Sequence, residues 1–300
     1  MDPHHPAGAP APREGSVPVE GAPLYYRDIG QGPPIILLHG GPSFDHHYLL
    51  PDMDRLADAF RLMYYDQRGR GQSVGHVQPV AVSIQSEMDD LEALRAHVHL
   101  EQAAVLGHSW GGLLAMEYAL RHPERVSHLI LLNTAPASYD DCRVFVQERD
   151  AHAPDDTEAR RALRARPAFA EGDLELRALY YRIYYQATLR SPELLDRLIE
   201  HLQVGWTKDG VLNAEAIGDQ LWNETYESTG YNLLPELTRL RIPTLIIRGD
   251  YDFVPLACAA HIAEAISGAS LVVLRDCGHF SYLERPDEVS QALSEFFHAS

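Results

Sequence analysis

The chain has 300 residues, which is long enough to bury the core of one large domain. Its 43 acidic residues against 25 Lys and Arg give a formal net charge of −18, which repels phosphate backbones and argues against nucleic acid as a partner. The three cysteines, Cys142, Cys258 and Cys277, have neither the spacing of a zinc site nor the even number of a disulfide framework.

The chain begins with a segment rich in Pro, Ala and Gly, residues 1–18. It has neither the basic start nor the apolar stretch of a secretory signal, so we interpret it as a flexible tail. No later apolar run approaches the roughly 18 residues that a membrane-spanning helix requires. Together with the cysteine usage, these features predict a cytoplasmic protein that contacts no membrane.

After the tail, short apolar runs bounded by turn residues alternate with longer amphipathic segments. This order is typical of a mainly parallel sheet with helices on both faces. The predicted strands span residues 35–38, 62–65, 103–106, 129–132, 244–247 and 271–274. The predicted helices span residues 48–59, 83–97, 110–121, 256–266 and 287–297.

The alternation breaks once, between about residues 137 and 240, where charged and aromatic helical segments follow one another. Apolar side chains recur there at helical spacing, for example from Leu174 to Tyr185. We therefore predict a core domain formed by residues 19–136 and 241–300. A helical cap domain, residues 137–240, is inserted into it.

The segment Gly107-His108-Ser109-Trp110-Gly111 matches the pattern G-x-S-x-G. The pattern alone is a weak signal, but here it follows the predicted strand 103–106 and precedes the predicted helix 110–121. This strand, turn and helix are the setting of a nucleophile elbow, in which a serine is held exposed on a tight turn. The alternative is a glycine-rich turn with an idle serine.

A serine hydroxyl becomes a nucleophile when an imidazole removes its proton and a carboxylate orients that imidazole. In this setting the partners follow in the order Ser, then Asp or Glu, then His. Of the 16 histidines, His279 alone stands in a loop after a late predicted strand and before the final helix. Asp250 and Asp252 both follow the strand 244–247, and we choose Asp252 because Asp250 can instead satisfy the amides of the turn.

Attack on a carbonyl creates an oxyanion that needs hydrogen-bond donors already in place. In this arrangement one donor is the N–H of the residue after the nucleophile, and the other comes from a glycine-rich loop after an early strand. The N–H groups of Trp110 and Gly41 fit these two positions. The alternative for the loop around Gly41 is an ordinary Gly-Pro turn.

Five stretches together resemble the prolyl aminopeptidase (proline iminopeptidase) branch of the α/β-hydrolases. They are H-G-G-P at 39–42, D-Q-R-G-R-G-Q-S at 66–73, G-H-S-W-G-G at 107–112, G-D-Y-D at 249–252, and the segment 278–286 from Gly-His to Glu-Arg-Pro. The resemblance implies an α/β-hydrolase fold, with a mainly parallel eight-stranded sheet, helices on both faces and an inserted helical cap. Relatives with esterase or amidase activity share similar stretches.

Such peptidases hold the free amino group of the substrate with acidic side chains of the cap and, in some relatives, with an acid right after the catalytic aspartate. That second position is Phe253 here, and Glu224 stands where a cap carboxylate of this kind is expected. An exposed helix glutamate is an equally good interpretation of Glu224. Trp222, Tyr226 and Phe253 are also suited to an apolar pocket for an acyl group.

We therefore predict a serine hydrolase that works through an acyl-enzyme without cofactor or metal. The preferred substrate is a small amide or short peptide with a free amino terminus, and a carboxylesterase acting on short acyl esters is the alternative. A serine at the nucleophile position argues against dehalogenase or epoxide hydrolase chemistry, which needs Asp there. A non-catalytic ligand-binding protein on the same fold is a more remote alternative. The sequence does not give the oligomeric state.

Overall fold

The computed structural model describes residues 11–227 and 230–299. Its strands are β1 Arg13–Pro18, β2 Pro23–Ile29, β3 Pro34–Leu38, β4 Arg61–Tyr65, β5 Ala103–His108, β6 Val126–Leu132, β7 Thr244–Gly249 and β8 Ser270–Leu274. They form one eight-stranded sheet in the order β1-β2-β4-β3-β5-β6-β7-β8. β2 pairs antiparallel with β1 and β4, and the other pairs are parallel. The predicted mainly parallel eight-stranded sheet is confirmed.

Helices cover both faces of this sheet and fill the insertion after β6. They are α1 Ile84–His97, α2 Trp110–Arg121, α3 Tyr139–His152, α4 Pro154–Arg164, α5 Pro167–Ala170, α6 Leu174–Tyr185, α7 Pro192–Leu202, α8 Lys208–Thr225, α9 Leu234–Leu237, α10 Leu256–Ala265, α11 Ser281–Glu284 and α12 Pro286–Ala299. Short 3₁₀ segments occupy His46–Leu49, Asp52–Asp58, Pro79–Ala81 and Pro123–Arg125.

The sheet separates two hydrophobic cores, because successive side chains of a strand point to opposite faces. In β3, Ile36 and Leu38 belong to one core, and Ile35 and Leu37 belong to the other. Such strands are apolar along their whole length, which is why they were visible in the sequence as continuous runs. The central strands are therefore packed on both faces, and the loops that leave their carboxyl ends start from well-defined positions.

The structure corrects two predictions in the first third of the chain. Residues 11–18 of the predicted tail are ordered in part as β1, which pairs with β2 and buries Val17, whereas residues 1–10 lie outside the described residues. The predicted helix at 48–59 is wrong. Two 3₁₀ segments stand there instead, separated at Pro51, which has no N–H to continue a helix.

The insertion between β6 and β7 contains helices α3 to α9. Within residues 137–227 and 230–240 the structure describes no strand, and a single bridge pairs Ser138 with Asn232. The division into a core domain and a cap domain with these boundaries stays a prediction. Nowhere in the described parts of the chain is a helix both long and apolar enough to cross a membrane.

Candidate active site

Ser109 occupies the tight turn between β5 and α2. Its backbone has φ 54° and ψ −119°, a conformation that costs an L-residue about 1–3 kcal/mol and is found mainly at functional sites. The turn needs the flanking glycines, because a Cβ at Gly107 would collide with the carbonyl of Gly111, and one at Gly111 would collide with the carbonyl of Leu38. The half-buried serine is thus presented at the carboxyl edge of the sheet.

Ser109, His279 and Asp252 form one hydrogen-bonded line. His279 Nε2 lies 3.0 Å from Ser109 Oγ, and His279 Nδ1 lies 2.8 Å from Asp252 Oδ1. An ionised carboxylate only accepts hydrogen bonds, so Nδ1 carries the proton and Nε2 is left to accept from the serine hydroxyl. This is the geometry in which an imidazole can act as a general base toward serine.

The carboxylate of Asp252 is buried but well supplied with donors. Asn133 Nδ2 donates to its Oδ2 at 2.8 Å, and the N–H of Val254 donates to its Oδ1 at 3.0 Å. Burial alone would raise the pKa of Asp252, but the charge and hydrogen bond of His279, together with Arg248 and Asn133, outweigh it and hold the pKa below its usual value. Asp252 is therefore ionised at neutral pH and able to hold an imidazolium.

Asp250, the other candidate acid, lies elsewhere. It is exposed, and its Oδ1 accepts from the N–H of Cys277 at 3.1 Å. The structure thus brings Asp252, and not Asp250, to His279. Asp250 instead ties the turn after β7 to the loop that carries the histidine.

Sequence reasoning missed Asn133, which directly follows β6. Its amide donates to Asp252 and also to the carbonyl of Gly278 at 3.0 Å, while its Oδ1 accepts from the hydroxyl of Ser281. Asn133 therefore links the acid to the histidine loop. The signal in the sequence was its position directly after the carboxyl end of a buried strand, and Ser109 and Asp252 also follow such strand ends.

A second network that sequence reasoning missed joins Tyr48 to His108. The Tyr48 hydroxyl accepts from the N–H of Gly40 at 2.8 Å and lies 2.7 Å from His108 Nδ1, to which it donates. His108 Nε2 donates to the carbonyl of His279 at 3.0 Å. Burial, followed by the charge of His279, lowers the pKa of His108 to about 3, so its ring is neutral.

Of the two predicted oxyanion donors, Trp110 directly follows Ser109, and Gly41 lies in the loop after β3. Trp110 is the first residue of α2, so its N–H has no acceptor within the helix, and the helix dipole favours negative charge at this point. Gly41 is exposed and has φ +122°, a conformation suited to glycine. A Cβ on the preceding Gly40 would lie 3.0 Å from the Cβ of Ser109, so the loop rests against the serine. Their role as donors stays a prediction.

A cavity of about 400 Å³ begins at this loop. Gly41, Pro42 and Ser43 form its floor, and cap residues including Tyr181 and Tyr185 form its walls. Ser109 and His279 do not line it directly. One of its lining residues, Tyr185, packs against Phe253 and Phe280, and both of these rings contact the His279 ring.

The four predicted substrate residues separate in the structure. Trp222 lines the 400 Å³ cavity, and Phe253 packs edge-on against His279, with ring centroids 4.4 Å apart, and lines a neighbouring cavity of about 220 Å³. Tyr226 does not line the 400 Å³ cavity; it is buried beneath Trp222 and Trp110, and its hydroxyl donates to the carbonyl of Pro136.

Glu224 does not line this cavity either, and its contact with the substrate amine stays a prediction. Its carboxylate accepts from the N–H of Ile84, the first residue of α1, at 3.1 Å. The reason is its position on α8, because two residues beyond Trp222 amount to roughly 200° around a helix. Glu224 therefore points away from the cavity that Trp222 faces.

Asp45, His46 and His47 have ligand atoms within 4.8 Å of one another, which is close enough for a metal ion. Hydrogen bonds already connect these groups. Asp45 Oδ1 lies 2.9 Å from His47 Nδ1, and His46 Nδ1 lies 2.7 Å from Asp66 Oδ1. The cluster orders the segment after the oxyanion loop, and we assign no metal to it.

Known proteins resemble this chain in sequence and in fold. The family model for the alpha/beta hydrolase fold matches residues 33–286. A proline iminopeptidase of Lactobacillus helveticus (strain DPC 4571) is 28% identical over 305 residues, covering 94% of this chain and 97% of that protein. A probable proline iminopeptidase of Leptolyngbya boryana is 30% identical over 297 residues, covering 92% and 90%. The solved structure of a proline iminopeptidase of Mycobacterium smegmatis matches 96% of this chain and 98% of its own, with a TM-score of 0.68. The two are 23% identical, so this is a likeness of fold alone.

Proposed function

This chain belongs to the alpha/beta hydrolase fold family, and we propose that it is a serine hydrolase acting through an acyl-enzyme. One observation carries the proposal: Ser109 Oγ lies 3.0 Å from His279 Nε2, and His279 Nδ1 lies 2.8 Å from Asp252. The strained, half-buried serine on a turn at the start of a helix supports the same function.

In the proposed reaction, Ser109 Oγ attacks the substrate carbonyl carbon while His279 Nε2 takes its proton. Asp252 holds the resulting imidazolium. The N–H groups of Gly41 and Trp110 bind the oxyanion. When the tetrahedral intermediate collapses, the leaving group takes the proton from His279, and an acyl group remains on Ser109. Water then attacks the acyl carbon and gives a proton to His279, which returns it to Ser109 Oγ as the acyl–oxygen bond breaks and the acid is released.

For the substrate, we propose a short peptide or small amide with a free amino terminus. The 28% identity to proteins named proline iminopeptidase, over nearly the full length of both chains, supports this class. A cationic amine in a partly dry site needs a carboxylate partner. Of the acids that line the cavity, Asp150 is paired with Arg149 and Glu215 with Arg177, which leaves Asp219, on the same face of α8 as Trp222, to take the amine.

A carboxylesterase acting on short acyl esters remains the second candidate. Two observations favour it: Glu224 does not line the cavity, and the rings of Phe253, Phe280 and Tyr185 form an aromatic wall around the His279 ring. Such a wall suits an apolar acyl group. Both candidates use the same serine chemistry.

The serine chemistry is tested by labelling the protein with a fluorophosphonate probe and measuring the intact mass. We expect one label per chain, attached to Ser109, and no label on a folded Ser109→Ala variant. Absence of labelling together with absence of turnover of any activated ester would favour a non-catalytic binding protein and overturn the proposal.

The substrate class is tested with aminoacyl naphthylamides beside nitrophenyl acetate. If Asp219 holds the amine, Asp219→Asn should lower kcat/KM for aminoacyl substrates by roughly three- to tenfold, a modest effect because this carboxylate is exposed. Turnover of nitrophenyl acetate, which has no amine, should be unchanged. Good ester turnover with no cleavage of any aminoacyl naphthylamide would replace the peptidase with the carboxylesterase.

A further inference from the structure

The cap presents a wall of arginines to the 400 Å³ cavity. Arg160, Arg161 and Arg164 all line it and lie on one face of α4, since residues three and four apart are neighbours on a helix surface. Arg149 of α3 lines the cavity beside them. We call Arg160, Arg161 and Arg164 the arginine wall.

The charges around the cavity do not cancel. Asp150 is paired with Arg149, whose guanidinium lies 2.8 Å from its Oδ1. Both oxygens of Glu215 accept from Arg177, at 2.8 and 2.6 Å, and Arg177 does not line this cavity. Asp150 Oδ1 also lies 3.7 Å from Arg160 Nη2, so two arginines share one carboxylate, and Asp219 is the acid left to oppose Arg161 and Arg164. In a chain with a net charge of −18, this is a local excess of positive charge.

Arg160 is the fixed part of the wall. Only 8% of its surface is exposed, its guanidinium lies over the ring of Tyr184 at 4.7 Å, and its Nη2 donates to the hydroxyl of Thr157 at 3.0 Å. Its buried Nε has no hydrogen-bond partner. The nearest oxygen of Asp150 is 3.7 Å from Nη2, too far for a hydrogen bond. A buried donor of this kind is stabilised when a ligand supplies an acceptor.

Arg161 and Arg164 are the solvent-exposed part of the arginine wall. Both are exposed, and within residues 11–227 and 230–299 neither forms an ion pair. Arg164 lies over the ring of Tyr180 at 5.5 Å, which restricts where its guanidinium can go. Guanidinium groups bind carboxylates through two parallel hydrogen bonds, so the wall offers several donors to one planar anion.

We propose that the arginine wall binds the free C-terminal carboxylate of a short peptide substrate. This inference rests on the proposed serine hydrolase function and deepens it, because it names the far end of the substrate. The cavity runs from Gly41, at the proposed oxyanion site, to the arginine wall, and Asp219 stands on the opposing helix α8. A zwitterionic peptide therefore finds an acid for its amine and arginines for its carboxylate within one cavity.

The test compares peptides that differ only in the charge at their C-terminus. Pro-Ala and Pro-Ala-Ala are assayed as free acids and as C-terminal amides. For at least one length, we expect the wild-type kcat/KM of the free acid to exceed that of the amide by about tenfold, and the ratio to fall as salt is raised, because salt screens exposed charges.

In the double variant Arg161→Gln/Arg164→Gln, the ratio of acid to amide should fall to within about twofold. Arg166→Gln is the matched control, because Arg166 is exposed in the same segment but does not line the cavity, and it should keep the wild-type ratio. Circular dichroism of each variant checks folding, and Arg161→Lys should retain part of the preference as a conservative replacement.

Two outcomes overturn the inference while leaving the proposed function intact. The first is equal kcat/KM for acid and amide in a wild-type enzyme that is labelled at Ser109. The second is an acid preference that the double variant keeps. Failure of Ser109 to be labelled, together with no turnover of nitrophenyl acetate, would instead overturn the proposed function itself.

Discussion

The side-chain amide of Asn133 donates to Asp252 Oδ2 at 2.8 Å and thereby joins the end of β6 to the proposed acid after β7. The same amide donates to the carbonyl of Gly278, next to His279. Asn133 has φ +45°, a conformation that asparagine tolerates better than most residues. One side chain therefore positions both partners of Ser109 without touching the serine itself.

We expect Asn133→Ala to lower kcat by about 10- to 100-fold, as loss of a supporting hydrogen bond at an active site commonly does. Loss of a donor to the ionised carboxylate raises the pKa of Asp252, so activity should be lost at a higher pH as the solution is acidified. The part of the acid limb of the kcat/KM profile that reports protonation of Asp252 should therefore move toward higher pH. A variant with normal stability, normal kcat and an unmoved acid limb would exclude this positioning role.

The Tyr48 hydroxyl connects the oxyanion loop to the nucleophile turn through Gly40 and His108. Tyr48→Phe removes the acceptor of the Gly40 N–H and leaves the buried Nδ1 of His108 without a donor, at a cost of about 1–3 kcal/mol in the free energy of unfolding. If the loop position matters, kcat should fall while KM stays close to the wild-type value, because the oxyanion forms only in the transition state.

Steady-state kinetics with nitrophenyl acetate and a thermal unfolding curve measure the two effects of Tyr48→Phe separately. A loss of stability with unchanged kcat would give Tyr48 a purely structural role.

Asp252→Asn should reduce kcat by about three to four orders of magnitude, because the amide cannot hold the imidazole in the required tautomer. Asp250→Asn should stay close to wild type, since the asparagine oxygen can still accept from the N–H of Cys277. Single-turnover rates with an activated ester compare the two. The reverse ranking would move the acid to Asp250.

The elements closest to Ser109 could be predicted from the sequence because their signals are local. The apolar run of β5, the flanking glycines and the amphipathic start of α2 are neighbours in the chain. His279 and Asp252 were found from chain order and from their positions after strands. Each residue's own setting, a strand followed by a turn, is a short local pattern, and chain order adds only the sequence in which the three settings occur.

Asn133 and Tyr48 could not be found in this way because their partners are distant in sequence. Asn133 and Asp252 are 119 positions apart, and Tyr48 and His108 are 60 apart. Only the sheet order, which places β6 beside β7 and β5 beside β3, brings these pairs together. The first strand, β1, was missed because an edge strand with mostly exposed side chains has no apolar run.

The cap was the least predictable part, because the function of a helical residue there depends on the rotation of its helix. Helical spacing identified α6 and α8, but it does not say which face of α8 meets the cavity. Gly218 and Trp222 occupy that face, whereas Glu224 contacts α1. Trp222 lines the cavity, whereas Glu224, two residues further along the helix, accepts a hydrogen bond from the start of α1.

The last prediction tests the role of Glu224 at the start of α1. Glu224 accepts from the N–H of Ile84, one of the α1 donors that has no partner within the helix. Glu224→Ala should therefore lower the free energy of unfolding by about 0.5–1 kcal/mol, the usual effect of losing a helix cap. For a chain of this length, that corresponds to a decrease in Tm of about 1–3 °C.

Activity should respond in the opposite way to the prediction made from the sequence. Because Glu224 does not line the cavity, Glu224→Ala should leave kcat/KM unchanged for both aminoacyl naphthylamides and nitrophenyl acetate. Asp219→Asn, five positions earlier on α8, is the matched comparison and should weaken only the aminoacyl substrates. If Glu224→Ala instead reduces aminoacyl turnover selectively at unchanged Tm, Glu224 contacts the substrate amine after all, and the assignment to Asp219 is wrong.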